Sequence, residues 1–306
     1  MLHYAYMLET LENLHWKLHI VPTLGASTYR LYARLKGRWE AVMRESPEET
    51  LAGKHASPLA NFFLIPFSNR IKDAAFDFQG RHYQLKAGSN DGSTQHGDVR
   101  DRRWRRGHQS KNMLEYELDT TSFTDFNFPF PFEATVRYAL EDTSLVIQLS
   151  LRNEGLAAMP AGFGIHPYFR RHIGSSSDIM LQFVAEGLYE VDKGLIPTGI
   201  VKPPLDQDDF STARAVGKQH LNHLYRDWSK LSLHWPGVAR LGIKADSVFK
   251  HLVVFTHEDG SLAIEPVTNA TDGFNLLARG FEGHGVVVLE PGETLEGTIT
   301  MTLLEA

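Results

Sequence analysis

The chain has 306 residues, of which 42% are hydrophobic and 22% charged, and its formal net charge is -6. That balance is ordinary for a globular protein and excludes a disordered one. The absence of cysteine excludes disulfide frameworks, thiolate metal sites and a cysteine nucleophile, and the mild acidity argues against a nucleic-acid partner.

Read from the start, Met1–Leu14 fits a short helix or a strand equally well. Met1–Lys17 carries Glu9 and Glu12 and lacks the basic start, apolar middle and cleavage site of a signal peptide. No run reaches the roughly 18 apolar residues of a membrane span, so no membrane partner is expected and the expectation is a soluble, cytoplasmic protein. Short strands are predicted at Leu18–Ile20, Tyr29–Leu35, Trp39–Met43, His82–Leu85, Met113–Leu118 and Ala134–Leu140. Ser144–Arg152 alternates, with Leu145, Ile147, Leu149 and Leu151 on one face and Val146, Gln148, Ser150 and Arg152 on the other; that is the period of a half-buried strand. Further strands are predicted at Ile179–Val184, Leu241–Ile243, Leu252–Phe255, Leu262–Ile264 and Val286–Leu289. After the Pro291-Gly292 turn, Thr294–Leu303 alternates again, with threonines on its outer face. The proline-rich patches at Phe128–Phe132 and Pro203–Pro204 read as loops. The length would allow two domains at about 150 residues each. Many short strands, no flexible linker and no internal repeat instead predict one large antiparallel all-β domain over residues 1–306, a sandwich or a barrel.

Several segments carry chemistry. In Gly162-Phe163-Gly164-Ile165-His166-Pro167-Tyr168-Phe169, Pro167 biases His166 toward extended backbone and the aromatics after it can wall a pocket. The alternative is a histidine held in a core loop. In Leu262-Ala263-Ile264-Glu265-Pro266-Val267-Thr268, three apolar residues lead into a carboxylate, and Pro266 is expected to stop regular pairing. A glutamate at the end of a buried strand must be paired, hydrogen-bonded or shifted in pKa, as a general base is; the alternative is a surface strand end. Asn69-Arg70 offers several donors suited to sugar hydroxyls, or forms a surface ion pair. Gln95-His96-Gly97 follows a polar loop of the kind that binds ligands, or is simply solvated. Arg100, Arg102, Arg103, Arg105 and Arg106 surround Trp104. They suit nucleic acid or a phosphorylated ligand, but Asp98 and Asp101 dilute them, and a solvated stretch with internal ion pairs is the expectation. The fifteen histidines form no metal-ligand spacing, and there is no Gly-x-Ser-x-Gly, phosphate loop or dinucleotide fingerprint. Metal, nucleotide and serine-hydrolase chemistry are therefore not expected.

The order Asn69-Arg70, His96-Gly97 with Trp104 downstream, His166-Pro167-Tyr168-Phe169 and Glu265-Pro266-Val267-Thr268 resembles the aldose 1-epimerases, the galactose mutarotase family. Leu18-His19-Ile20-Val21-Pro22-Thr23-Leu24-Gly25-Ala26 resembles the family's opening strand and turn, and Leu289-Glu290-Pro291-Gly292-Glu293-Thr294 its closing turn. The resemblance implies a large antiparallel β-sandwich of the galactose mutarotase type. It also implies cofactor-free interconversion of the α and β anomers of a free monosaccharide such as galactose. Carried over by position, Glu265 is the general base and His166 the general acid. Arg70 and His96 bind sugar hydroxyls with Asn69 supporting them. The family's Leu-Asp-x-x-Phe segment is matched by Leu221-Asn222-His223-Leu224-Tyr225, so Asn222 stands where the Asp would be, and Arg226-Asp227-Trp228 lacks the glycine that often precedes this tryptophan. Asn222 keeps an acceptor oxygen and loses the charge, which bears on the preferred sugar; Asp206, Asp208 and Asp209 are nearby acids that could stand in. Two alternatives stay open: a non-catalytic sugar-binding or sensing protein of this fold, and a hexose-phosphate mutarotase. A β-sandwich glycosidase ranks last, because hydrolysis wants two carboxylates across the bond. No oligomeric state follows from the sequence.

Overall fold

Alternating sequence becomes antiparallel sheet with its apolar side inward. In the computed structural model, which describes residues 8–174 and 176–304, the strands Met113–Asp119, Phe132–Glu141, Ser144–Asn153 and Thr294–Leu304 lie side by side in that order. The register sets Tyr138 opposite Ile147 and Ile147 opposite Ile299, so the inward residues of neighbouring strands meet on one face. Leu145, Ile147, Leu149 and Leu151 are all buried there, as the period-2 pattern predicts. The same sheet continues through Ala239–Ala245, Asn222–Trp235, His251–Thr256 and Leu262–Val267 to the short strands Gly164–Ile165 and Phe63–Leu64.

A second sheet, made of Glu9–Glu12, Trp16–Val21, Ser27–Leu35 and Arg38–Ala41, closes over the first. Trp16, Leu18, Ile20 and Leu31 share one apolar core with Tyr116, Val136 and Ile147. The polar ends of the core aromatics are satisfied across the two sheets. Tyr138 Oη donates to Ala26 O at 2.9 Å and Trp16 Nε1 to Thr143 O at 2.8 Å, as buried Tyr and Trp require. The architecture is the antiparallel β-sandwich that the sequence predicts.

Four details differ from the sequence reading or complete it. Within Met1–Leu14, Glu9–Glu12 is a strand, and residues 1–7 lie outside the described residues. The fourteen-residue strand Asn222–Trp235 was not predicted; Asp227 at φ 52° and Lys230 at φ 55° are left-handed and break its regular strand pattern. A one-and-a-half-turn helix, Gly273–Ala278, buries Phe274 against Phe67 and Phe76, and is too short to show a helical period. Finally, Pro266 does not stop pairing. It lies inside Leu262–Val267, opposite Leu252. On the other edge, Ile264 N–H donates to Pro167 O and Thr268 N–H to Phe163 O. Pro266 falls between them, at the break between Gly164–Ile165 and Tyr168–Phe169, where no strand asks for its missing N–H. That break is where His166 leaves the ladder.

Candidate active site

The strand Leu262–Val267 and the broken edge beside it bring the two strongest sequence candidates together. Glu265 points from Leu262–Val267 and His166 from the break facing it, and His166 Nε2 stands 3.3 Å from Glu265 Oε1. Both side chains are nearly inaccessible, with Glu265 2% and His166 6% exposed. The backbone of His166 is pinned, its N–H donating to Phe62 O and Asn61 Oδ1, both at 3.0 Å. Its ring packs against Phe62, at 4.6 Å between centroids, and Tyr168, at 4.5 Å, and these two rings are themselves 6.4 Å apart. The imidazole is thus held in orientation while its Nδ1, like Glu265 Oε2, has no hydrogen-bond partner among the described residues. An unpaired buried polar atom costs about 1–3 kcal/mol, so two of them beside each other mark a functional site rather than a structural one.

The remaining predicted residues form one wall. Arg70-Ile71 pairs with Thr94-Gln95 as two short antiparallel strands, which sets Asn69 beside His96. His96 N–H donates to Asn69 O at 2.9 Å, and Asn69 N–H donates to His96 Nδ1 at 3.2 Å. That second bond fixes the tautomer, with the proton on Nε2. Asn69 Oδ1 accepts from the Arg70 N–H at 2.9 Å and from Arg70 Nη1 at 3.3 Å, which holds the Arg70 side chain beside Asn69. Asn69 and His96 both hold left-handed backbone, at φ 58° and 63°. Gly97 follows at φ 68°, and a Cβ there would sit 1.8 Å from Ile65 O; only glycine permits this close crossing.

Asn69, Arg70, His96, His166, Asn222 and Glu265 all line one cavity of about 240 Å³, smaller than the roughly 300–1,000 Å³ of pockets for drug-sized ligands. The acids considered as stand-ins for the missing family Asp do not line it. Asp208 is bound to His223 at 3.0 Å, and Asp209 turns to Ser211. Sequence reasoning missed His257, which also lines the cavity, and Asp91, whose Oδ2 lies 3.3 Å from Arg70 Nε. Arg100 and Tyr168 line it as well; the sequence offered the first only within the Arg-rich stretch and the second only as a wall. The Arg-rich stretch is otherwise as expected: Arg102 pairs with Asp98 and Asp125, Arg105 with Glu117 and Arg106 with Glu9. Arg44, also missed, stacks on the outer face of Tyr168 with Cζ 3.4 Å from the ring centre.

Burial governs the protonation of the pair. It pushes the Glu265 carboxyl well above the usual carboxylate range, with Arg70 opposing weakly. It holds the His166 imidazole well below its usual range, and the charges of Arg44 and Arg100 act in the same direction. His96 is lowered by burial and then by Arg100, His166 and Arg70. A buried pair therefore prefers zero net charge, with one proton held between carboxyl and imidazole. Whether that proton sits on oxygen or nitrogen leaves the total unchanged. Among the described residues no group of three His, Asp or Glu side chains is placed to hold a metal ion, and no helix is long and apolar enough to cross a membrane.

Fold and cavity together define a class: an antiparallel β-sandwich with a small polar pocket floored by a coupled carboxyl–imidazole pair. The chain belongs to the aldose 1-epimerase family, whose sequence profile matches residues 10–302. It is similar to the uncharacterized protein YihR of Escherichia coli, with 26% identity over 265 residues that cover 82% of this chain and 80% of that one. A galactose mutarotase-like protein from Clostridium acetobutylicum superimposes with a TM-score of 0.82 at 18% identity, over 97% of this chain and 95% of that one. The GalM/aldose epimerase homologue from C. elegans gives a TM-score of 0.82 at 18% identity, over 98% and 99% of the two chains. At those identities the structural likeness bears on fold alone.

Proposed function

We propose that the chain is an aldose 1-epimerase that interconverts the α and β anomers of an aldohexose by opening and closing the ring. The observation that carries this reading is the 3.3 Å contact between His166 Nε2 and Glu265 Oε1 in a pocket that also presents Asn69, Arg70, His96 and Asn222. Ring opening needs a base on the anomeric hydroxyl and an acid on the ring oxygen, two atoms bonded to the same carbon. A carboxylate and an imidazolium side by side meet that need.

Glu265, as carboxylate, takes the proton of the anomeric hydroxyl. His166, as imidazolium, gives a proton to the ring oxygen. The bond between that oxygen and the first carbon breaks as the carbonyl forms. Rotation about the bond between the first two carbons turns the aldehyde over. Closure runs the transfers backward, with His166 now the base toward the ring hydroxyl and Glu265 the acid toward the carbonyl oxygen. Opening takes the pair from its ionised to its neutral form, the form that burial favours. Substrate oxygens supply partners for Glu265 Oε2 and for the donors of Arg70, His96 and Asn222. The shared apolar core of both sheets supports reading the chain as one domain.

Polarimetry on freshly dissolved α-glucose and α-galactose tests the reading. Wild-type protein should speed equilibration, and Glu265→Gln or His166→Ala should each remove about 10²–10⁴-fold of the rate. Full activity in Glu265→Gln would end it. Saturable sugar binding without acceleration would make the chain a sugar-binding protein instead.

A further inference from the structure

The cavity holds one cation that the reaction above leaves unused. Arg100 follows Gly97 closely, in the short turn Val99–Asp101, and its side chain lines the same pocket as His166 and Glu265. Its guanidinium makes no ion pair or side-chain hydrogen bond with any described residue, and its Nε is buried without a partner. The acids on either side of it in sequence are engaged elsewhere. Asp98 is bound by Arg102 and by the Asn127 N–H, and Asp101 accepts from the Ala56 N–H at 2.7 Å and contacts His55 at 3.2 Å. By contrast the second arginine of the cavity, Arg70, has Asp91 at 3.3 Å. A half-buried guanidinium whose Nε is inaccessible and without a partner is costly, and its planar fork is the side chain best matched to an anionic group with two or more oxygens.

The charge of the lining points the same way. It contains Arg70 and Arg100 but only one carboxyl, Glu265, and Asn222 is an amide. The position of Arg100 relative to the reacting pair is also defined. Its Cζ stands 5.4 Å from the centre of the Phe62 ring, and that ring lies 4.6 Å from His166. Arg100 and His166 therefore neighbour the same aromatic ring, and the guanidinium is bound to neither member of the reacting pair. It is free to meet a substituent other than the two reacting oxygens.

Resting on the mutarotase reading, we propose that Arg100 forms an anion subsite, and that the preferred substrate is a hexose with an anionic substituent (phosphate, sulfonate or carboxylate) remote from its first carbon.

Two readouts separate this proposal from the reading beneath it. Anomer exchange measured by NMR on glucose, glucose 6-phosphate, glucuronate and 6-deoxy-6-sulfoglucose gives the rates and identifies which anion is preferred. Calorimetric titration of the same four sugars gives binding. At least one anionic sugar should exceed glucose about tenfold or more in kcat/KM and in affinity. Arg100→Gln should collapse that ratio by about 10–100-fold, the span of a charged hydrogen-bonded contact, mainly through KM, and Arg100→Lys should restore part of it. A folding defect would lower all four rates alike and leave the ratio unmoved. Equal treatment of glucose and every anionic sugar, or a ratio unchanged in Arg100→Gln, would overturn the subsite. If no sugar is accelerated while an anionic one still binds through Arg100, the subsite stands and the mutarotase reading falls.

Discussion

The two ends of the long sheet are built on opposite terms. At one end Phe132–Glu141 and Ser144–Asn153 pair residue for residue without interruption, and inward and outward positions alternate along both. At the other end all six residues of Leu262–Val267 are buried, a proline sits in the ladder and the neighbouring edge is broken at His166. The polar groups on the buried face of the first end are tied, the Tyr138 hydroxyl to Ala26 O and the Asn153 amide to Ala157 O and Leu289 O. The second buries a glutamate and a histidine and leaves one polar atom of each unpartnered. One end holds the molecule together, while the other accepts a local loss of stability to keep an acid–base pair dry and oriented.

The strongest way to sharpen that contrast is one substitution at each end. Glu265→Gln keeps the side-chain volume and should lose about 10²–10⁴-fold in anomer exchange, with the fold intact by circular dichroism. Ile147→Ala should cost about 2–5 kcal/mol in a denaturant titration while the folded fraction keeps its specific activity. Activity loss in Ile147→Ala beyond its unfolded fraction would erase the distinction between the two ends.

The tight backbone crossing beside His96 is the next place to break. Gly97→Ala forces a Cβ onto Ile65 O and a side chain into φ 68°. The backbone conformation alone costs about 1–3 kcal/mol, and the clash adds to it. The midpoint of denaturant unfolding should fall accordingly, with KM rising as His96 and Arg70 shift. A wild-type midpoint and KM in Gly97→Ala would show that the crossing is not needed.

Titration tests the same contrast with a smaller effect. The neutral folded carboxyl of Glu265 has its pKa raised, so its contribution is fully present below the ordinary carboxylate pKa. It is lost as pH rises toward the folded value, because the unfolded chain releases the proton first. The stability of Glu265→Gln relative to wild type should therefore increase between pH 4 and pH 8, a pH range chosen around the carboxylate value of about 4.3. Thermal unfolding across that range reads it directly, and a constant difference would refute the buried neutral carboxyl. Activity should follow the pair. Removing its proton leaves a bare carboxylate and adding one leaves an imidazolium beside a neutral acid, both opposed by burial. The rate should then have its acid limb below the ordinary imidazole range and its alkaline limb above the ordinary carboxylate range.

Much of this was legible in the residues themselves. Alternation in Ser144–Arg152 and Thr294–Leu303 is a local property, because successive side chains of a strand must face opposite sides. It located two strands, their buried faces and the all-β class. His166 and Glu265 stood out for similar reasons, each held by a following proline in an otherwise apolar segment. The strand Asn222–Trp235 did not stand out, because its left-handed residues Asp227 and Lys230 interrupt the alternation. Pro266 misled for the opposite reason: its effect depends on whether a partner strand needs its N–H, and that is a fact about the neighbouring edge.

Proximity was decided only by tertiary structure. That His166 Nε2 meets Glu265 Oε1, that Tyr168 and Phe62 pack against the imidazole, and that Arg100 turns into the pocket while Arg102, Arg105 and Arg106 turn to acids have no periodic signature. Local sequence sets which backbone conformations and faces are favourable. Which distant side chains share a desolvated space, and which charges are left without partners there, is settled by the packing of the two sheets and the long-range pairing of their strands.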